Sequence, residues 1–296
     1  MKYLKPPIDA KPIIRKLLED DETYMVPGVY NPFTALLAEK LGYKVIYLSG
    51  AALTGSLAMP DLGLITLSEL SLFTKYITRV VSIPLIVDAD TGFGGVLNVA
   101  RTVRELEEAG ASAIQIEDQE MPKKCGHLTG KSLIPPEEMA YKIRAAVEAR
   151  KSPDFLIIAR TDARNVEGID KALERAKLYV KAGADIIFPE ALESIEEFKM
   201  FVEELKIPIL ANMTEFGRTP YIKFEKFIEA GVKFVIYPVT VFRANAKNSF
   251  NILRRLMTEG GQMHFLELLM TRKEFYEFID YYEYEDYDRK LSDWNP

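Results

Sequence analysis

The sequence predicts an α/β chain folded as a (β/α)8 barrel of the TIM type, on three observations. Eight short β-rich apolar runs recur along it, helix-length segments separate them, and an Ala-Gly pair ends several of those segments. Most of the runs are continuous Val/Ile/Leu stretches rather than alternating ones, as parallel strands buried on both faces require. Eight alternating β and α units that close on themselves make a barrel.

In order, the runs are MVPGVY (25–30), KVIYLSG (44–50), PLIVDAD (84–90), AIQIED (113–118), FLIIART (155–161), DIIFPE (185–190), PILANM (208–213) and KFVIYP (233–238). After the first, Asn31 is a good N-cap for a helix that opens at Pro32. Residues 100–108 form another helix, stopped by Ala109-Gly110, and the same ending recurs at Ala182-Gly183 and Ala230-Gly231. The units differ in length and sequence, so this is a repeated α-to-β connection rather than a solenoid repeat. A doubly wound open sheet is the alternative. It is disfavoured because eight units fill the chain, no GxGxxG follows the first strand, and the GFGG after Asp90 is only a glycine turn. We expect one barrel domain over residues 1–296, with 261–296 a helical, aromatic extension (YYEYEDY near its end) suited to packing or a subunit contact.

At 296 residues the length alone would allow two domains, but a single barrel also fits it. Hydrophobic residues at 48% and charged residues at 28% suit a globular enzyme whose core needs no metal or disulfide support. The one cysteine cannot form an internal disulfide. The N-terminus, broken by charges and prolines, has no signal-peptide apolar region, and no run of 18 apolar residues follows, so we expect a cytoplasmic protein without a membrane contact. A net charge of −6 argues against a nucleic-acid partner, yet a few arginines in one cleft could still draw a small anion.

Chemistry in such barrels sits at the C-terminal ends of the strands. Those ends carry Tyr47 and Ser49, Asp88 and Asp90, Glu117, Arg160, Glu190, Asn212 and Tyr237. Lone acids there are commonly helix caps, but several acids converging with an arginine are not what a structural rim needs. Asp88 and Asp90 stand two apart, so on a continuing strand their side chains share a face. With Glu117 they offer hard oxygen ligands suited to Mg2+, or Mn2+, which take one or two carboxylates and keep waters. Zinc is disfavoured by the presence of only two histidines and one cysteine, and His264 reads as an ordinary helical histidine. No strand end offers a lysine, which disfavours Schiff-base chemistry and favours metal-stabilised enolate chemistry. The loop from Gln119 to about Pro136 is long enough for a lid and carries KKCGH, whose lysines and histidine tune the thiol of Cys125 as a proton donor.

These residues resemble the isocitrate lyase/phosphoenolpyruvate mutase superfamily, and within it the 2-methylisocitrate lyases. The similarity runs from PGVYNPFTALLAEKLGYKVIYLSG to TRKEFYE and is most specific in VDADTGFG, IEDQEMPKKCGH, ARTDA, IFPEA, ANMTEFG and YPVTVFRA. KKCGH marks the lyases, since the phosphonate mutases lack it. The resemblance implies a Mg2+-dependent cleavage of 2-methylisocitrate, a tricarboxylate, to pyruvate and succinate in the methylcitrate cycle. It implies Asp88 and Asp90 as metal-binding acids supported by Glu117, and Ser49, Gly50 and Ala51 as the loop holding the α-hydroxyacid end. Ala51 stands where the family commonly has glycine. Arg160, Glu190, Asn212, Met213, Thr214, Arg243 and Arg272 would contact substrate, and Cys125 and Gly126 would belong to the lid. Cys125, Tyr47, His127 and Asp61 are the catalytic candidates, Tyr47 as base. Phe188 replaces a bulkier tryptophan of isocitrate lyases, leaving room for a methyl group. A homotetramer with exchanged C-terminal helices is the implied assembly. The remaining alternatives are lyases acting on isocitrate, dimethylmalate or oxaloacetate, a mutase, and a catalytically silent barrel.

Overall fold

The computed structural model describes residues 2–124, 126 and 130–293. Eight parallel strands form its centre: β1 Tyr24–Val29, β2 Ile46–Leu48, β3 Leu85–Asp88, β4 Ala113–Glu117, β5 Leu156–Thr161, β6 Ile186–Pro189, β7 Leu210–Asn212 and β8 Phe234–Tyr237. Each falls inside or within one residue of a run identified in the sequence. Ladders join them in the order β6-β5-β4-β3-β2-β1-β8-β7. A single parallel bridge between Ile187 and Ile209 brings β6 to β7 and closes the barrel, with the Ile187 N–H donating to the Pro208 carbonyl at 3.1 Å.

The connecting helices are α2 Pro32–Lys40, α3 Gly50–Ser56, α4 Leu67–Thr78, α5 Val96–Glu108, α6 Pro136–Ala149, α7 Ile169–Lys181, α8 Ile195–Leu205, α9 Phe224–Glu229 and α10 Thr240–Glu259; α1, Lys11–Glu19, precedes the first strand. Asn31 caps α2, its side chain accepting from the Thr34 N–H at 2.9 Å. The Ala-Gly endings close α5, α7 and α9, with Ala109, Ala182 and Ala230 as caps and the following glycines left-handed. Beyond α10 come a 3-10 turn at Met263–Leu268, then α11 Arg272–Phe278 and α12 Tyr281–Ser292. This extension returns to the barrel wall, where Phe275 meets Phe33 with ring centroids 5.4 Å apart and Lys40 reaches Asp280 at 3.4 Å.

Strand periodicity divides the core in two. Side chains of one parity, among them Ile46, Leu48, Val87, Ile114, Ile157 and Ile187, pack outward under the helices. Those of the other parity, including Tyr47, Ile86, Ala113, Leu156, Ile158, Ile186, Phe188, Leu210, Phe234 and Ile236, fill the barrel interior. The same inward parity continues upward to Asp88, Glu117, Arg160, Glu190 and Asn212, so the last inward position of successive strands is polar. The fold thereby stacks a charged layer on an apolar one.

The N-terminal helix α1, which carried no signal in the strand-helix rhythm, inserts the fully buried Ile14 into the interior cluster and brings Leu17 and Leu18 against it. Truncating this side chain leaves a void that the rigid strands cannot collapse around. We expect Ile14→Ala to lower unfolding stability by roughly 2–4 kcal/mol in urea titrations, while leaving the rim chemistry intact. Unchanged stability would show that α1 does not close the barrel.

Candidate active site

An open cleft of about 560 Å³ lies over the charged layer. Its centre is Arg160, buried at the end of β5. The guanidinium meets three carboxylates: Nε donates to Asp162 Oδ2 at 2.9 Å, Nη2 donates to Asp162 Oδ1 at 3.1 Å, Nε stands 3.3 Å from Glu117 Oε2, and Nη2 stands 3.2 Å from Glu190 Oε2. It also stacks over the Phe188 ring, 5.1 Å from the centroid. Burial works against this charge, but Asp162, Glu117 and Glu190 hold the guanidinium pKa well above its usual value. Asn212 of β7 donates its amide to Glu190 at 3.2 Å and fixes that carboxylate from the far side.

On the opposite wall, Asp88 ends β3. Its two oxygens accept from the Gly50 and Asp90 N–H groups, both at 3.2 Å. A Cβ at Gly50 would lie 2.9 Å from Asp88 Oδ2, so this approach of the α3 start requires glycine. Ser49 caps α3 by accepting from the Ala52 N–H at 3.2 Å, and Ala51 lines the cleft. The expectation that Asp88 and Asp90 share a face of a continuing strand does not hold. The strand stops at Asp88, and Asp90 takes a left-handed φ of +48°. The turn nevertheless brings both acids to Gly50. Burial pushes the Asp90 carboxyl up to about 6, opposed by Lys123 and reinforced by Asp88.

Lys123 is the residue the sequence placed differently. Read there as a neighbour tuning the thiol, it instead enters the cleft from the loop, its Nζ 2.6 Å from Asp90 Oδ1 and paired with Asp61. An amine therefore does reach the site, although no strand end supplies one. Burial would favour its neutral form, but Asp90, Glu117, Asp61 and Asp88 raise its pKa, so it is a fixed cation rather than a Schiff-base nucleophile.

Tyr47 also needs correction as a candidate base. Its hydroxyl is buried and donates to Gln115 Oε1 at 2.7 Å, and burial together with Asp88 pushes the phenol well above its usual pKa. That arrangement makes it a neutral donor. Gln115, unremarked in the sequence, was legible as the inward position between Ala113 and Glu117.

Of the other expected substrate contacts, Thr214 and Arg243 line the cleft, and Glu215 holds Arg243 at 3.1 Å. Met213 faces away, its sulfur accepting from the Ile222 N–H at 3.4 Å. Arg272 begins α11, exposed and outside the cleft lining, so in this chain it does not join the others. Cys125 and His127 lie outside the described residues. The loop around them is zipped at its base, where the Gln119 side chain donates to the Lys124 carbonyl at 2.8 Å and accepts from the Lys124 N–H at 2.9 Å. Gly126 sits directly on the guanidinium: a Cβ there would come within 2.3 Å of Arg160 Nη2.

Among the described residues, no group of three or more His, Cys, Asp or Glu side chains is arranged as a metal cage. The donors still suit a hydrated hard cation held by one or two carboxylates. Glu117 Oε1 is buried with no hydrogen-bond partner among the described residues, and burial raises its carboxyl well above the usual range despite Arg160 and Lys123.

An eight-stranded parallel barrel with acids, an arginine and a loop lysine gathered over its C-terminal rim places these groups where barrel enzymes carry their chemistry. The sequence matches the phosphoenolpyruvate phosphomutase family over residues 14–257, and the chain belongs to that family. It is 64% identical over 280 residues to a 2-methylisocitrate lyase of Aeropyrum pernix, covering 95% of this chain and 90% of that one. With a 2-methylisocitrate lyase of Bacillus subtilis the identity is 49%, over 94% and 92% of the two chains. The crystal structure of a 2,3-dimethylmalate lyase superposes with a TM-score of 0.90 at 32% identity, covering 97% and 96%. A phosphonopyruvate hydrolase solved with oxalate and Mg2+ superposes at 0.85 and 31% identity, covering 94% and 98%.

Asp162 ties this site to acid stability. Burial alone would raise its pKa, but Arg160 and Lys131 overcome that and pull it down to about 2. A depressed folded-state pKa contributes stability that is present above the unfolded value and lost as pH falls through the folded one. The stability gap between the wild type and Asp162→Asn should therefore shrink by roughly 2 kcal/mol between about pH 4 and pH 2 in denaturant titrations. A gap constant across that window would mean that the ion pairs are not formed in solution.

Proposed function

We propose that this chain is a Mg2+-dependent carbon–carbon lyase that cleaves 2-methylisocitrate to pyruvate and succinate, as in propionate catabolism through the methylcitrate cycle in the cytoplasm. The observation that carries the reading is the near full-length 64% identity to a protein of that name, joined to a cleft that sets a buried arginine opposite paired acids. Asp88 and Asp90, supported by Glu117, would hold the cation, which when bound supplies positive charge to the oxygens of the pyruvate half.

The chain's own groups account for the remainder. Arg160 offers N–H groups to a succinate-half carboxylate, with Asn212 and Glu190 fixing its direction. Arg243 and Thr214 close the outer side. Lys123 balances the acids on the pyruvate side, and the Tyr47 hydroxyl remains a donor within that wall. The substrate hydroxyl proton passes to a carboxylate of the rim, and the electron pair it leaves forms the ketone of pyruvate as the carbon–carbon bond breaks. The bond's own pair stays on the carbon of the other fragment, which takes a proton from Cys125. His127 and Asp61 would hold that loop and its charges in register. A homotetramer would cover apolar side chains that α10 and the following turn leave exposed, among them Leu253 at 66%, Met257 at 86% and Met263 at 73%.

The test is a panel of 2-methylisocitrate, isocitrate, dimethylmalate and oxaloacetate assayed with Mg2+ by pyruvate and glyoxylate detection. We expect 2-methylisocitrate to lead isocitrate by roughly 10- to 200-fold, the worth of one methyl group in a fitted pocket. Phe188→Trp should narrow or reverse the preference, and chelation should abolish turnover until Mg2+ or Mn2+ is restored. Equal efficiency on both acids, or full turnover in excess chelator, would overturn the assignment.

Cys125→Ser should keep folding and metal binding. Its kcat should fall by ~10²–10⁴-fold with little change in KM, because serine is a far weaker acid of similar size. Near wild-type kcat would remove the thiol from the chemistry.

A further inference from the structure

We propose that Lys131 is a positioning residue that ties the KKCGH loop to the substrate-holding guanidinium. Its ammonium bridges the Gly126 carbonyl and the Asp162 carboxylate, the same carboxylate that orients Arg160. The inference rests on the reading of Arg160 as the seat of a substrate carboxylate.

A lysine in a surface loop ordinarily extends into water. Gly130 and Ser132 on either side are exposed, yet the Lys131 side chain is only 1% exposed. Desolvating an ammonium so fully is unfavourable without close partners. Here they are Asp162 Oδ1 at 2.6 Å, itself fully buried, and the backbone carbonyl of Gly126. Asp162 Oδ1 also accepts from Arg160 Nη2 at 3.1 Å, so one oxygen links a cation of the loop to a cation of the site.

Gly126 closes the circuit. Its Cα stands so near the guanidinium and Glu190 that a Cβ would fall 2.3 Å from Arg160 Nη2 and 2.6 Å from Glu190 Cγ. The position of the loop peptide and the direction of Arg160 are thus set by the same groups. An anionic substrate competes with Asp162 for the arginine N–H groups. Lys131 remains to compensate Asp162 when that happens, while its other hydrogens keep Gly126 over the bound anion. A purely structural ion pair would not couple these events.

The chain's single cysteine, Cys125, gives a direct reading of the loop. Iodoacetamide labelling of the full-length enzyme with Mg2+, with and without pyruvate plus succinate, is compared for wild type, Lys131→Met and Lys131→Gln, alongside kcat and KM. We expect labelling to accelerate roughly 10-fold or more in both variants, with protection by the two acids weakened, and kcat to fall roughly 10–100-fold with a smaller change in KM. Lys131→Arg, which restores the charge, should recover part of the protection. If Lys131→Met does not fold, the less drastic Lys131→Gln decides by the same readouts. Wild-type labelling and kcat in a variant that merely melts earlier would overturn the proposal. Should the substrate assignment fail instead, the wild type would lack turnover on 2-methylisocitrate while the labelling contrast persisted, so the two failures are distinguishable.

Discussion

The rim of this barrel depends on one buried guanidinium shared among three carboxylates. Arg160 stands on the apolar interior with Phe188 beneath it, and Asp162, Glu117 and Glu190 each take part of its charge. Buried charges survive only when paired and hydrogen-bonded, so each partner must keep its place for the others to be tolerated. The strand parity that packs Leu156 and Ile158 into the barrel brings Arg160 to the same axis one step higher. Packing and charge placement are consequences of a single alternation.

The same balance explains why cations arrive from the loop. Acids at the ends of β3, β4 and β6 would repel one another if left together. Lys123 answers Asp90 and Asp61, and Lys131 answers Asp162. The long segment whose Lys123 and Lys131 reach acids of the rim therefore supports the site. A hydrated divalent cation beside Asp88 and Glu117 would extend the pattern to Glu117 Oε1, a buried carboxylate oxygen with no hydrogen-bond partner among the described residues.

Much of this was legible from local chemistry. The strand runs are continuous because both faces are buried, and each stands within a residue of its observed element. Asn31 and the Ala-Gly endings announced helix boundaries through capping needs that any helix has. Strand-end residues such as Asp88, Glu117, Arg160, Glu190 and Asn212 were legible because period two and barrel topology fix where they point. The misses have equally physical origins. Asp90 leaves the strand through a left-handed turn that no alternation foretells. Lys123 and Lys131 are buried by tertiary partners far away in sequence, and a lysine in a polar loop gives no local sign of that. Met213 and Arg272 carried a family expectation into positions where, in this chain, the side chain points elsewhere or lies on an exposed helix. Gln115 and the interior role of Ile14 follow from parity and amphipathicity once the barrel is drawn.

The central claim is that the Arg160 cluster is the seat for a substrate carboxylate. The most direct measurement is calorimetric titration of succinate into the Mg2+-loaded wild type and Arg160→Lys, with thermal melting as the folding control. Lysine keeps the charge but loses the paired N–H fork and the stack on Phe188. The account predicts that succinate affinity falls by about 100-fold in the variant while the protein remains folded. Equal affinity in the two proteins would contradict it and place the anion elsewhere on the rim.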